Sequence, residues 1–211
     1  MAAGNGFTTR RILLRRWTDA DREPFAAINA DPVVMEYFPA PLERAESDGF
    51  VDRIEAQFDA WGFGLWVLER RVDRAFLGFT GLAPVRADIP PAGAIEVGWR
   101  LSRSAWGQGY ATEAAREALR VGFGEGRLSE IVALTAVVNA PSRRVMERLG
   151  MRHDPADDFD HLGVPPGPLR VRTRPALVSS KSHRIPEGAH IATAPWKSQR
   201  PRAADRSFVS P

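Results

Sequence analysis

The sequence predicts an α/β fold, a mixed sheet flanked by helices, followed by a tail of different character. Three observations carry this. Short aromatic and β-branched runs alternate along the chain with stretches of helical period. The order reads strand, helices, hairpin, strand, loop, helix, strand, helix, which suits helices packed on one sheet. The third observation is a composition shift after residue 162: residues 1–162 hold 20 Arg against 24 Asp and Glu, net −4, whereas residues 163–211 hold 9 Lys and Arg against Glu187 and Asp205, net +7. Both lysines and 8 of the 17 prolines lie in that last stretch. The overall charge of +3 therefore belongs to the tail and not to the domain.

RILLRRW (11–17) reads as the first strand. TDADREPFAAINA then starts a helix, with Thr18 or Asp19 as cap and acidic residues in the first turn, where they complement the helix dipole. DPVVMEYFPAP (31–41) reads as a second short element ended by prolines. From Glu43 to Ala60, Phe50, Ile54 and Phe58 recur at spacing four and mark the apolar face of a helix. GFGLWVLER and AFLGFTGLAPV, separated by the charged turn RVDR, read as an antiparallel hairpin. ADIPPAG is a loop, and AIEVGWRLS (94–102) is a further strand. Thr112 to Phe123 is helical, and its small residues Ala111, Ala115, Ala118 and Gly122 let it lie close to a sheet. EIVALTAVV (130–138) is nearly continuous in apolar character, as in a strand covered on both faces. Pro141 sits where proline suits a first helical turn, and Gly150 where a helix ends.

Composition excludes several chemistries. With no Cys there are no disulfides, thiolate metal sites or cysteine nucleophiles. The four His residues (153, 161, 183 and 190) form no HExxH arrangement, so no metal is expected. No apolar run approaches 18 residues, and the N-terminus lacks the apolar stretch of a secretion signal; a cytoplasmic protein away from membranes is expected.

SRSAWGQGYATEA (102–114) carries the chemistry. Gly107 and Gly109 remove side chains where backbone N–H groups approach an anion, beside the positive end of a helix. The alternative is a helix start that needs glycine only for a tight turn. A dinucleotide fingerprint fails twice: Thr112 stands at its third glycine, and Asn139 ends the next strand where an acid is needed. A Walker loop is excluded, because residues 1–162 contain no lysine.

IEVGWRLSRSAWGQGYATEA, followed some way on by VVNAPSRRVMERLGMR, resembles the Gcn5-related N-acetyltransferase (GNAT) family, in the branch of the ribosomal-protein-alanine N-acetyltransferases. ILLRRWTDAD, DPVVMEYFP and the hairpin fit that branch too, and the resemblance covers roughly residues 10–155. It implies a mostly antiparallel sheet of six to seven strands of the acyl-CoA N-acyltransferase type. It also implies an acetyltransferase domain over 8–162, with a last strand at 168–174. The implied reaction is direct transfer of an acetyl group from acetyl-coenzyme A to a primary amine on a small molecule or a protein N-terminus. The enzyme is expected as a monomer or homodimer.

The family's pyrophosphate loop falls on Ser104 to Gly109, with Ser104 in place of the usual Gln or Arg. This assigns cofactor contacts, chiefly through backbone N–H groups, to Trp106, Gly107, Gln108, Gly109, Tyr110, Ala111 and Thr112; for Trp106 and Tyr110 plain packing of the loop is the competing role. The pantetheine arm would pair with the backbone of Trp99 and Leu101, with a bulge or close approach at Gly98 and an oxyanion-binding N–H at Gly98 or Trp99. Asn139 and Ser142 match the family's N-x-x-S. Ser142 would protonate or hydrogen-bond the leaving thiolate, against a role that only satisfies the helix start, and Asn139 would touch the amine or the pantetheine amide. Glu96 is the candidate base, acting through water, against a pairing with Arg100. Arg143 and Arg144 are weaker candidates for the 3′-phosphate.

Residues 175–211 are polar, Pro-rich and without period, and are expected to be disordered. Two readings of the altered C-terminus stay open: a basic arm that binds RNA or the ribosome, and a reading-frame change near residue 162 that impairs activity or leaves a non-catalytic coenzyme-A-binding remnant.

Overall fold

The charged turn at 71–74 folds β3 (Leu65–Arg70) back onto β4 (Phe76–Pro84), and the proline-rich loop after β4 returns the chain antiparallel as β5 (Ile95–Leu101). This meander, seen in a computed structural model that describes residues 6–86 and 88–159 and the backbone of 168–173, is the centre of the sheet. β1 (Phe7–Thr8) and β2 (Ile12–Arg15) extend it beyond β3. On the other side β6 (Ile131–Ala136), β8 (Pro168–Thr173) and β7 (Arg152–His153) complete the order β1-β2-β3-β4-β5-β6-β8-β7. Every neighbouring pair is antiparallel except β5 and β6. Among the described residues the sheet has eight strands: six full strands, within the six to seven expected for the fold, with β1 and β7 as two-residue edge pieces.

Directly paired residues of neighbouring strands share a face of the sheet. Phe79 pairs with Arg100, Gly81 with Gly98 and Ala83 with Glu96, which sets these six on one face. Phe25 of α1 (Arg22–Ala30) and Phe50 of α2 (Arg44–Trp61) pack edge-on against Phe79, with ring centroids at 5.7 and 5.9 Å, so α1 and α2 cover that face. Thr80, Leu82, Val97, Trp99 and Leu101 point the other way, toward α3 (Tyr110–Gly124) and α4 (Ala140–Arg148). α3 lies close to the sheet because Gly122 has no side chain: a Cβ there would stand 2.6 Å from Ile131 Cδ1 and 2.8 Å from Leu82 Cδ1.

Local chemistry fixes the helix starts. Thr18 caps a short 3-10 turn (Asp19–Asp21) ahead of α1, and its N–H and hydroxyl both donate to Asp21 Oδ2 at 2.8 Å. Residues 31–41, expected as a short element, form successive turns instead. Three prolines break any ladder there, and Asp31 Oδ1 accepts the Val33 N–H at 2.9 Å, an Asx turn that competes with a helix. β5 runs through Gly98 in regular register, so the bulge considered there is absent. Among the described residues no helix is long and apolar enough to cross a membrane. The tail over 175–211 lies outside the described residues.

Candidate active site

β5 runs into the glycine loop, and side chains lock the loop's shape. Trp106 Nε1 donates to Leu101 O at 2.9 Å and Gln108 Nε2 to Ser104 O at 2.7 Å. Gly107 and Gly109 hold φ of +73° and +80°, a left-handed conformation that strains any L side chain. A Cβ on Gly107 would meet nothing within 4 Å, so conformation, not crowding, demands glycine. Gly109 is the N-cap of α3 and supplies no side-chain cap. The Thr112 hydroxyl, in the first turn of α3, is buried and has no hydrogen-bond partner among the described residues. Free first-turn N–H groups, the helix dipole and an orphaned hydroxyl suit a phosphate-bearing anion such as the coenzyme A pyrophosphate.

A second anchor escaped the sequence reading. Arg11 Nε donates to Glu113 Oε2 at 2.7 Å, Arg11 Nη1 to Gln108 O at 2.9 Å, and the guanidinium lies 4.6 Å over the Tyr110 ring. Thr9 Oγ1 adds a 2.6 Å bond to Glu113 Oε1. Arg11 therefore ties β2 to both the loop and α3. Only the acid in the first turn of α3 hinted at this, since its partners lie about a hundred residues away. The Tyr110 ring is buried in the core, so packing is its side-chain role, while the Trp106 ring is 46% exposed with only its N–H pinned.

β5 and β6 meet in one ladder pair, Glu96 with Val132, and then diverge. Beyond Glu96 the edge of β5 facing β6 has no strand partner among the described residues. A cleft with a cavity volume of about 140 Å³ fills the gap and joins the two faces of the sheet. On the α3/α4 side Trp99 Nε1 donates to Ser142 Oγ at 3.3 Å. Asn139 caps α4 by accepting the Ser142 N–H at 3.1 Å. The helix-start bond is thus made by Asn139 and not by the Ser142 hydroxyl, which accepts from Trp99 and keeps its own hydrogen to donate. The Asn139 carbonyl is committed to the cap.

On the α1/α2 side Glu96, Gly98 and Arg100 line the cleft, with Tyr37, Phe38 and Phe159 around them. A Cβ on Gly98 would meet nothing within 4 Å, which leaves open space at the divergence. Glu96 is 7% exposed. The pairing of Glu96 with Arg100 is not formed: four residues of strand separate their Cα atoms by about 13 Å, and Arg100 Nη1 donates instead to Asn29 Oδ1 at 2.5 Å. Burial pushes the Arg100 guanidinium down to about 9. The Leu101 side chain lies in the core. Arg143 Nη1 turns back to Val137 O at 3.2 Å, and Arg144 is exposed.

Residues 11–152 match the acetyltransferase (GNAT) domain family. The chain is 33% identical over 154 residues to the Bacillus subtilis protein YkkB, covering 72% of this chain and 88% of that one. It is 41% identical over 160 residues to the FsC-acetyl coenzyme A-N(2)-transacetylase of Aspergillus fumigatus, covering 69% of this chain and 64% of that enzyme. The fold recurs in an acetyltransferase of the GNAT family from Bacillus anthracis, with a TM-score of 0.68 at 23% identity over 80% of this chain and 98% of that one. It recurs again in Mycobacterium smegmatis RimJ in complex with CoA-disulfide, with a TM-score of 0.62 at 19% identity over 78% and 82%. A sequence match that runs from β2 into β7, on a sheet that splays beside a glycine loop heading α3, makes this chain a member of the GNAT acetyltransferase family.

Proposed function

We propose that the protein is an N-acetyltransferase that moves an acetyl group from acetyl-coenzyme A directly to a primary amine of a small molecule or a protein N-terminus. The observation that carries the reading is the splayed β5–β6 cleft, with the Trp99-held Ser142 hydroxyl on one face and Glu96 on the other. The name of the Aspergillus relative, with its acetyl coenzyme A and N(2) position, supports transfer to nitrogen. The motif resemblance to the ribosomal-protein-alanine branch keeps a protein N-terminus within the acceptor range.

Residues 107–112 would hold the pyrophosphate, and the unpaired edge of β5 at Trp99 and Leu101 the pantetheine. Acetyl-coenzyme A, when bound, supplies an acyl carbon activated by its thioester. Glu96 accepts the proton that an alkylammonium must lose before its nitrogen has a lone pair, through an intervening water. An N–H on the free edge of β5 near Gly98 or Trp99 donates to the acyl oxygen as charge develops there. As the new C–N bond forms and the C–S bond breaks, Ser142, oriented by the indole of Trp99, donates a hydrogen bond to the departing thiolate, and the amine's proton stays on Glu96. The amine attacks the thioester directly, without an acyl-enzyme: the chain has no Cys, and among the described residues no Ser–His pair to activate a serine.

Titration calorimetry with acetyl-coenzyme A, followed by thiol release against an amine panel, tests this reading. Binding and amine-dependent thiol release are expected. Glu96→Gln is expected to lower kcat by about 10²-fold or more with acetyl-coenzyme A affinity unchanged. No binding, and no thiol release with any amine, would sink it.

A further inference from the structure

The cleft contains a cation that the transfer chemistry does not use. Arg100 is 4% exposed, yet among the described residues no carboxylate stands within ion-pair distance of it. Its hydrogen-bond partner is neutral: Asn29 accepts from Nη1, and the Asn29 amide donates onward to Ser47 Oγ at 2.8 Å. Nε is buried with no hydrogen-bond partner among the described residues. The rings of Phe38, Phe50 and Phe79 lie 4.3, 5.8 and 5.7 Å from the guanidinium carbon. Their faces offset part of the desolvation, but cation–π contacts are weak beside the cost of an unpaired buried ion. Buried arginines are ordinarily paired. One that is not, and that lines a cleft, is short of an anion.

On the reading that this cleft receives the acceptor, we propose that the acceptor is an amino carboxylate, with its carboxylate bound by Arg100 and its amine directed to Glu96. Both groups lie on the α1/α2 face of β5 and both line the cleft. An acid and a base at two ends of one wall complement a zwitterion: ammonium toward Glu96, carboxylate toward Arg100. Arg100 stands two residues from Gly98, about 6.6 Å along the strand, so one small molecule reaches both the divergence and the guanidinium. The planar donor fork of arginine matches a carboxylate, and a single cation suits a single negative charge. A phosphate would bring a second charge to a wall that already holds Glu96. A polyamine would set further positive charge against an unneutralised guanidinium. Tyr37, Phe38 and Phe159 leave an apolar wall for the body of the acceptor.

The test is thiol release from acetyl-coenzyme A by the full chain with matched acceptors. Leucine is compared with leucinamide, phenylalanine with phenylalaninamide, 6-aminohexanoate with hexylamine, and spermidine is the polycationic control. Rates are corrected for the fraction of free amine. At least one acid is expected to exceed its neutral partner by roughly tenfold or more in kcat/KM, the range of a charge-assisted hydrogen bond. Arg100→Gln is expected to bring that pair to near parity, and Arg100→Lys to retain part of the preference, with acetyl-coenzyme A affinity unchanged in both. A structural role alone would not make selectivity follow charge. A second readout needs neither turnover nor a variant: N-acetyl-leucine or N-acetyl-phenylalanine is expected to raise the wild-type Tm where the corresponding N-acetyl amides do not. Amides or spermidine equal to or better than every acid, or equal Tm shifts, would overturn the amino carboxylate while leaving N-acetyl transfer in place. Absence of acetyl transfer to all of these amines and to peptides would overturn the transfer reading itself, and the Tm comparison would still decide the anion site.

Discussion

Ser142 has a hydrogen to give because two neighbours have taken over its other bonds. Asn139 Oδ1 holds the Ser142 N–H at 3.1 Å, and the Trp99 indole donates to the Ser142 oxygen at 3.3 Å. A hydroxyl that accepts from an indole is oriented, and its remaining hydrogen is directed by that bond. Ser142→Ala is therefore expected to lower kcat by about 10²-fold and to leave the KM for acetyl-coenzyme A nearly unchanged, measured by thiol release. Trp99→Phe keeps the hydroxyl and the packing of the ring but removes the orienting donor. Its expected loss is smaller, about fivefold to tenfold, the value of one neutral hydrogen bond. If Trp99→Phe costs as much as Ser142→Ala, the indole acts on the reaction through more than Ser142.

At the scale of elements, what matters is how β2 holds the glycine loop against α3. Burial by itself would raise the Glu113 carboxyl, but the hydrogen bonds from Thr9 and Arg11 and the charge of Arg11 outweigh it and leave the carboxyl below its ordinary value. Arg11→Met leaves that carboxylate two of its three hydrogen bonds, from Thr9 Oγ1 and the backbone N–H of position 11, removes its counter-charge and frees Gln108 O. A loss of about 1–3 kcal/mol is expected, read as a lower urea midpoint, together with a raised Kd for acetyl-coenzyme A. Gly107→Ala separates conformation from crowding: its Cβ enters open space, so the φ of +73° alone sets a cost of about 1–2 kcal/mol, and a loss of cofactor affinity beyond that comes from the filled cradle. The sequence made these elements legible where period and punctuation agreed, as in α2, the β3–β4 hairpin, and β5 leading into α3. It misread residues 31–41, where apolar residues look like an element but proline and an Asx turn forbid one. The positions of Glu96, Ser142 and the two glycines followed from spacing within a motif. The tie of Arg11 to Glu113 and the placing of Asn29 against Arg100 did not, because both join residues far apart in the chain. An arginine in a strand reads as a solvated face until the packing of α1 and α2 shows that it is covered.

For the whole molecule, these buried charges set opposite slopes of stability against pH. Asp21 is 3% exposed; burial would raise its carboxyl, but two bonds from Arg15 at 2.7 and 2.8 Å and two from Thr18 hold it below its ordinary value. A carboxyl lowered on folding contributes stability above its unfolded pKa and loses it as pH falls through the folded one, so Asp21 and Glu113 together favour acid unfolding. Arg100 acts in the reverse sense. Desolvation pushes it from 12.5 to about 9, so between those values the unfolded chain holds the extra proton and stability rises with pH. Below about 9 the full cost of the buried cation is present. The difference in urea-unfolding free energy between wild type and Arg100→Gln is expected to move in favour of wild type from pH 8 to 10, by at most ~1.4 kcal/mol per pH unit. Taking the difference cancels other groups that titrate in the same window, Tyr37 among them. Adding N-acetyl-leucine is expected to flatten that rise for wild type alone, because a bound carboxylate keeps the guanidinium charged and the folded chain then holds the same proton as the unfolded one through this window. A wild-type minus variant difference that is already flat from pH 8 to 10 without the ligand would mean that Arg100 keeps its full charge throughout and is neutralised by a group other than the acceptor.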